Sequence, residues 1–448
     1  MSLPTFWPSC LAVSSWLLIC PPAGAQEPSR PVPDERPSFW QAAAGVVAVN
    51  GLTWFYNWHV QRWDWADVGT QSWWANIRHG FTWDDDAYGA NQVAHPYHGS
   101  LYFNAARSSG YDFWASTPFV AAGSLGWELF TENVRPSLND LINTTLGGIA
   151  LGEAAHRMSS LLTSRGAFGR GVGAFVVNPV ARTQSFLHDR GGRADSARVT
   201  APEFSSAAVA LGQRRGSGAS PGALTESRAF VGVSIQYGNA FGDRVTRPYD
   251  AFEFSLHLSP EDHVVLSHVA VSGMLLRWTL VRSTSNQLFL ALYQHYDYDD
   301  LPAFKASSQS LSGALLYRRG AGARTQLHVG MHLEAVPLGA VSSDYNGFRR
   351  RDYDYGPGLG GRFTASVRRD GRDMLRLDAR TVWIHSVYGA RANHLATTAR
   401  LSAAIPVVRM VSVGGDVGVT VRRSSYREMP AVSKRVPQVR AYLIWSPS

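Results

Sequence analysis

After Ser227 the chain takes up a period of two and keeps it to its end. Phe252, Phe254, Leu256 and Leu258 alternate with Glu253, Ser255 and His257; Leu327, Val329, Met331 and Leu333 alternate with Gln326, His328, His332 and Glu334; Leu375, Leu377, Ala379, Thr381 and Trp383 alternate with Arg376, Asp378 and Arg380. Successive side chains on a strand point to opposite faces, so each segment carries one apolar and one polar face. Similar segments begin near Phe230, Leu266, Leu288, Gln309, Phe363, Leu395, Val407 and Val439. These make about eleven candidates, and a further strand near Phe204 to Gln213 would give the even number that membrane barrels favour. Several run about nine to eleven residues, the length a tilted membrane strand requires.

A soluble sandwich or barrel with its apolar face inward would carry the same alternation. The N-terminus favours the membrane form. Met1 to Ala25 has no charged side chain, is mostly apolar from Leu11 through Cys20, and ends in Ala23-Gly24-Ala25 before Gln26. That is the small-x-small pattern of signal-peptidase cleavage, although the positive n-region is missing. Leu17, Leu18 and Ile19 before Cys20 are too bulky for a lipidation box. Both cysteines, Cys10 and Cys20, fall in this segment, so the mature chain has no thiol for catalysis, metal binding or a disulfide. No later apolar run reaches the roughly 20 residues of a spanning helix. The chain end, Trp445-Ser446-Pro447-Ser448, departs from the terminal aromatic residue of many membrane barrels.

The net charge of +8 is untouched by cleavage. In an exported protein such charge suits anionic headgroups, so outer-membrane lipid or lipopolysaccharide is the expected partner and nucleic acid is not. The basic run Arg349 to Arg351 beside Tyr353 and Tyr355 reads as a solvated loop within a long connection from Ala340 to Pro357.

From Phe39 to about Leu162 the pattern is helical, and ten of the fifteen tryptophans lie between Trp40 and Trp127. Pro96 fits the first turn of a helix that Gly110 ends, with His95 as its cap. Thr117 before Pro118 starts a second helix through about Asn133, and Ser137 with Asp140 reads as the capping box of a third. On the third, Asn139, Asn143, Ala150, Glu153 and Arg157 share one stripe, while Gly148 and Gly152 invite close approach of another helix. Glu128 and Glu132 lie one turn apart on the second. Residues 164–227, rich in Gly, Arg, Ser and Ala, read as a linker with one possible strand.

The predicted fold class is therefore α+β. It comprises a signal peptide over 1–25, a disordered mature N-terminus over 26–38, an aromatic-rich helical domain over 39–163, the linker over 164–227, and an antiparallel β-barrel of about ten to twelve strands, outer-membrane type, over 228–448.

The strings HPYHGSLYFNAARSSGYDFW (His95 to Trp114), GSLGWELFTENVRPSLNDLINTTLGG (Gly123 to Gly148) and ALGEAAHR (Ala150 to Arg157) resemble a bacterial family of uncharacterised envelope proteins, domain of unknown function 3943. The resemblance spans roughly residues 54–162. It implies a helical domain, often followed by a β-rich region, and it supplies no activity or catalytic residue. The chain departs from the family at His156, where an aromatic residue is favoured before the Arg of the G-E-x-x-x-R run.

Between Asp84 and Arg157 the apolar helices are studded with groups that cost several kcal/mol to bury unpaired. His95, His98, Arg107, Glu128, Glu132, Asp140 and Glu153 are the candidate catalytic residues, with His98 as base and Arg107 holding a phosphate or carboxylate of a lipid-like substrate. His98 and Arg107 point to opposite sides of one helix, so partners would come from other helices. Asp86, His95, His98 and Glu132 are candidate metal ligands, and Glu153 with His156 forms one E-x-x-H pair where a di-iron bundle needs two. The favoured reading is structural: Arg107, Glu128, Glu132, Asp140, Glu153 and Arg157 form an ion-pair network that fixes the helices to one another and to the barrel. No Walker loop, dinucleotide fingerprint, G-x-S-x-G elbow or H-E-x-x-H is present, so no cofactor-binding residue follows. The expected role is structural or transport-related at the envelope. The alternative is a membrane-associated enzyme acting on envelope lipid or glycan.

Overall fold

The computed structural model describes residues 37–163, 168–187, 205–216, 226–261, 264–301, 304–320, 323–345 and 351–446. The expected signal peptide and nearly all of the expected disordered N-terminus lie outside these residues.

Among these residues seven α-helices come first: α1 (Phe39–Phe55), α2 (Thr70–His79), α3 (His95–Ser108), α4 (Phe113–Phe130), α5 (Leu138–Thr163), α6 (Phe168–Val177) and α7 (Pro179–Leu187). Twelve strands follow: β1 (Ser205–Gly216), β2 (Glu226–Tyr237), β3 (Phe252–Glu261), β4 (Val264–Arg282), β5 (Asn286–Leu301), β6 (Phe304–Arg319), β7 (Thr325–Ser342), β8 (Tyr353–Arg369), β9 (Arg372–His385), β10 (Ala392–Val408), β11 (Val411–Tyr426) and β12 (Val432–Trp445). Each strand pairs antiparallel with the next, and Val209 of β1 opposite Trp445 of β12 closes the ring. The expected α+β fold and the even strand count are both present.

Several local expectations need correction. In the stretch expected as a linker with one possible strand, that strand is present as β1, but α6 and α7 depart from the expectation: α6 packs on α5 through buried Ala174, whose carbonyl accepts from the Ser159 hydroxyl at 3.2 Å, a partner that periodicity alone does not reveal. The long connection expected over Ala340 to Pro357 is strand at both ends, β7 running to Ser342 and β8 starting at Tyr353, with Ala340 opposite Tyr355 and Ser342 opposite Tyr353. The strand expected near Val407 starts at Val411, since β10 runs on to Val408. His95 does not cap α3: a π-helical turn, Ala90–Ala94, runs straight into it. Pro118 lies inside α4, which begins earlier, at Asp112, whose side chain accepts from the Ala115 amide. A proline removes one backbone donor, and here the Thr117 hydroxyl donates to the Trp114 carbonyl in its place, at 2.8 Å. α5 starts as expected, with Ser137 Oγ accepting from the Asp140 amide.

α3 and α5 meet through glycine. A Cβ on Gly148 would lie 2.5 Å from the Gly99 carbonyl carbon, and one on Gly152 2.7 Å from the Phe103 Cβ, so only glycine permits this approach.

The faces of the barrel follow from alternation. On β5, Leu290 and Leu292 are exposed and point outward, while Phe289, Ala291 and Tyr293 are buried and point inward. By the same count the charged groups Asp297, Glu334, Arg362, Arg376 and Arg380 line the lumen. Two contacts join strands half the ring apart: Arg376 of β9 donates to Glu253 of β3 at 2.9 Å, and Arg368 of β8 to Gln236 of β2 at 2.9 Å. Arg362 ties Asp297 to Glu334 at 2.8 and 2.9 Å. From the β2–β3 connection, Phe241 packs on Phe289 and His328.

Alternating burial stops on one part of the wall. Residues 293–298 of β5, 306–310 of β6, 338–341 of β7 and 353–356 of β8 are buried on both faces. Their outward members, Gln294, Tyr296, Tyr298, Ser307, Gln309 and Tyr355, meet the helices. Tyr296 donates to the Gln92 carbonyl at 2.6 Å, and Gln294 to the Leu146 carbonyl at 2.9 Å. α5 thus runs across the strands, from Asn139 beside Tyr355 of β8, past β5 at Leu146, to Arg157 at Asp250 before β3. The helical domain lies on the outer wall of the barrel, neither in its lumen nor apart from it.

Candidate functional site

The awkward polar groups of the helices separate into two clusters with opposite charge logic. The first is an ion-pair chain. Arg107 of α3 donates to both oxygens of Glu153, at 2.7 and 3.1 Å. Arg157, one turn after Glu153, donates to the same carboxylate at 2.8 Å and to Asp250 at 2.9 Å. Every charge here has an opposite partner, and the chain links α3, α5 and the barrel.

The second cluster is rich in carboxyls and poor in cations. Asn139 and Asp140 at the start of α5, Glu128 at the end of α4, Glu132 two residues past that helix rather than one turn along it, His95 at the start of α3 and Asp84 from the preceding loop converge behind β8. Asp84 accepts from the amides of Asn91 and Asn139, both at 2.8 Å. Burial alone would push the Asp84 carboxyl up, but hydrogen bonds from Asp140 and Asn139 and the nearby His95 hold it below its ordinary value. Burial, followed by the charge on Asp84, pushes Asp140 well up. The two neighbouring carboxyls are thus pushed apart, Asp84 down and Asp140 up. Glu128 is driven well up by burial and by Glu132, although the Ser137 amide donates to it at 2.7 Å. Glu132 rises to about 8 through burial, despite the bond from Trp127 Nε1 at 2.7 Å.

Burial pushes His95 below its ordinary value against the opposing pull of Asp84, its Nε2 lying 3.7 Å from Asp140 and its Nδ1 3.3 Å from the Thr144 hydroxyl. One ligand atom each from His95, Glu128 and Asp140 lies within 4.8 Å of the others, the one such grouping among the described residues. Nitrogen with two carboxylates suits a divalent cation once the carboxyls deprotonate. Asp86, His98 and Glu132, the other expected ligands, are not in this grouping. His98 is packed edge-on against Trp127 with its Nε2 3.2 Å from the Tyr102 hydroxyl, and burial lowers it to about 3. Arg107 belongs to the ion-pair chain and does not face His98.

Sequence reasoning missed the barrel's share of this cluster. The Asn91 amide donates to the Tyr353 hydroxyl at 2.9 Å and also to the Tyr355 hydroxyl, and the buried Arg351 donates to the Asp84 carbonyl at 3.0 Å while stacking on Tyr388. The two-residue spacing of Tyr353 and Tyr355 was the available signal of a strand face, hidden by the basic residues before it.

The fold and cluster define a twelve-strand barrel of the outer-membrane architecture with a polar-cored helical domain on its wall. Residues 80–180 match the family model described as a domain of unknown function, DUF3943, and this match takes in the three strings that carry the resemblance. Similar solved structures include the NanC porin (8% identity, TM-score 0.27, covering 53% of this chain and 98% of that one). The KdgM porin is similar at 8% identity and TM-score 0.25, over 53% and 98% of the two chains. Outer membrane phospholipase A from Escherichia coli is similar at 10% identity and TM-score 0.28, over 55% and 93%. The chain matches no curated protein.

Proposed function

We propose that this protein is a bacterial outer-membrane barrel with a structural role at the envelope, holding its helical domain against the membrane rather than serving as an open pore. The observation that carries this reading is the pair of contacts from Arg376 to Glu253 and from Arg368 to Gln236, which join opposite walls of the lumen. The outward row of Leu290, Leu292, Leu311, Leu315, Leu333 and Leu359 is the apolar face that lipid requires. Export through a signal peptide and contact with lipid or lipopolysaccharide complete the proposal, supported by the uncharged N-terminal segment and the basic net charge. The test is fractionation with heat-modifiable gel migration, followed by conductance in planar bilayers. Recovery as a soluble periplasmic protein refutes the barrel reading; conductance like that of an open porin refutes the structural one.

One observation favours a second reading, a membrane-associated enzyme acting on envelope lipid or glycan: the convergence of His95, Glu128 and Asp140. A divalent cation there would supply Lewis-acid chemistry, with these three residues holding it. Metal analysis of the purified protein against His95→Ala and Asp140→Asn tests it, and equal metal content in all three refutes it.

A further inference from the structure

We propose that the helical domain is itself bathed in lipid, with the outer faces of α1, α4, α6 and α7 touching acyl chains of the bilayer that surrounds the barrel. The proposal rests on the outer-membrane reading above. It concerns a surface that the barrel does not provide.

These helices are inverted relative to those of a soluble domain. The exposed stripe of α1 contains Trp40, Ala44, Val47, Leu52 and Phe55, at helical spacing, and the helix has no charged residue. Its Asn50 turns inward to donate to the Gly123 carbonyl. α4 repeats the arrangement: Trp114, Pro118, Ala122, Leu125 and Phe130 face out, while Ser116, Ser124 and Glu128 are buried. α6 and α7 add Val176 at 72% and Phe186 at 87% exposure, beside 80% for Trp40 and 71% for Leu52. A soluble monomer does not leave so large and continuous an apolar surface to water. A polar interior under an apolar exterior is what a lipid solvent selects.

The occupant follows from continuity. On four adjacent strands the edge of the helical layer lies two or three residues from exposed outward side chains: buried Gln294 beside exposed Leu292, Gln309 beside Leu311, Leu338 three residues from Ala335, and Tyr355 two residues from Pro357. Helix surface and barrel band thus form one apolar face. No described helix is long and apolar enough to cross a membrane, so the contact is lateral. The exposed charges also sort to one pole. Among the residues whose exposure is described, and apart from Asp112 and the half-buried Arg182 of α7, they gather in residues 62–86 and at Arg135, which donates to the His79 carbonyl at 2.9 Å. Trp58, Trp73 and Trp74 lie at the same pole, as interfacial aromatic residues do.

The test uses the full chain with Cys10 and Cys20 replaced by serine, in phosphatidylethanolamine–phosphatidylglycerol vesicles. Single nitroxide labels are placed at Val47→Cys, Val176→Cys, Leu333→Cys and Asp67→Cys. The expected result is a ratio of oxygen to aqueous-nickel accessibility at 47 and 176 that matches 333 and exceeds 67 several-fold. If 47 and 176 behave as 67 does while 333 remains lipidic, the helices are in water and the proposal fails with the barrel reading intact. If 333 is also aqueous, the barrel reading fails and takes this one with it. Shielding of 47 and 176 from both relaxants means a protein partner, such as a second copy, and likewise overturns it.

Discussion

Arg107 and Glu153 form a two-point ion pair across the α3–α5 interface, and the same carboxylate holds Arg157, which in turn reaches Asp250. Replacing Glu153 by alanine leaves two buried guanidinium groups facing one another. Removing one partner of a buried pair costs about 3–5 kcal/mol. Glu153→Ala should therefore lower the helical melting transition by circular dichroism and expose the helices to protease, while heat-modifiable migration of the barrel persists. A variant that melts like the parent removes the ion-pair chain from the account of helix docking.

The glycine contact yields a sharper contrast. A Cβ at Gly148 would meet backbone of Gly99, which cannot move aside, whereas nothing lies within 4 Å of one at Gly51. Overpacking of this kind costs about 1–3 kcal/mol, so Gly148→Ala should destabilise the helical domain by at least that much. Gly51→Ala, on the exposed side of α1, should be neutral or gain up to about 1 kcal/mol from helix propensity. Chemical denaturation followed by tryptophan emission separates the two, and equal midpoints would show that α3 and α5 do not pack through these glycines.

The lumen is the place to distinguish a scaffold from a pore. Arg376 and Arg368 each reach the opposite wall, so the double variant Arg376→Ala, Arg368→Ala opens the two cross-lumen contacts without touching the outward face. Single-channel recording should show low conductance in the parent and a clear rise, with a shift toward cation selectivity, in the variant. No change on substitution would mean that these side chains do not set the bore.

The sequence carried the barrel because alternation is a one-dimensional record of a two-faced wall; Leu290 and Phe289 announce their sides without any tertiary knowledge. The same reasoning failed at Tyr353 and Tyr355, where both faces are buried and a helix replaces lipid outside. Glu153 and Arg157 were legible as one helix stripe. Their partner Asp250 was not, since it lies 93 residues beyond Arg157. The convergence of His95, Glu128 and Asp140 depends on three helix axes, and no spacing within one helix encodes it. α1 and α4 read as ordinary apolar helices; which side faced outward required the fold.

The carboxyl-rich cluster makes stability depend on pH in a direction opposite to that of ordinary surface carboxylates. Glu132 has its pKa raised from 4.5 to about 8, chiefly by burial. Below 4.5 it is protonated whether the helices are folded or not. Between 4.5 and 8 the unfolded chain ionises while the folded state still holds the proton, so the stabilisation is fully present at low pH and is lost as pH rises through 8. Glu128 and Asp140, also raised, act in the same direction. Helical melting temperature should therefore fall from pH 5 to pH 8.5 in the parent. Glu132→Gln, neutral at every pH, should flatten that slope, and it should also remove part of the protonated-carboxyl infrared band that the parent loses with a midpoint near 8. Superimposable pH profiles for the two proteins would show that Glu132 ionises as a solvated group, and that this cluster is open to water rather than sealed behind α4 and α5.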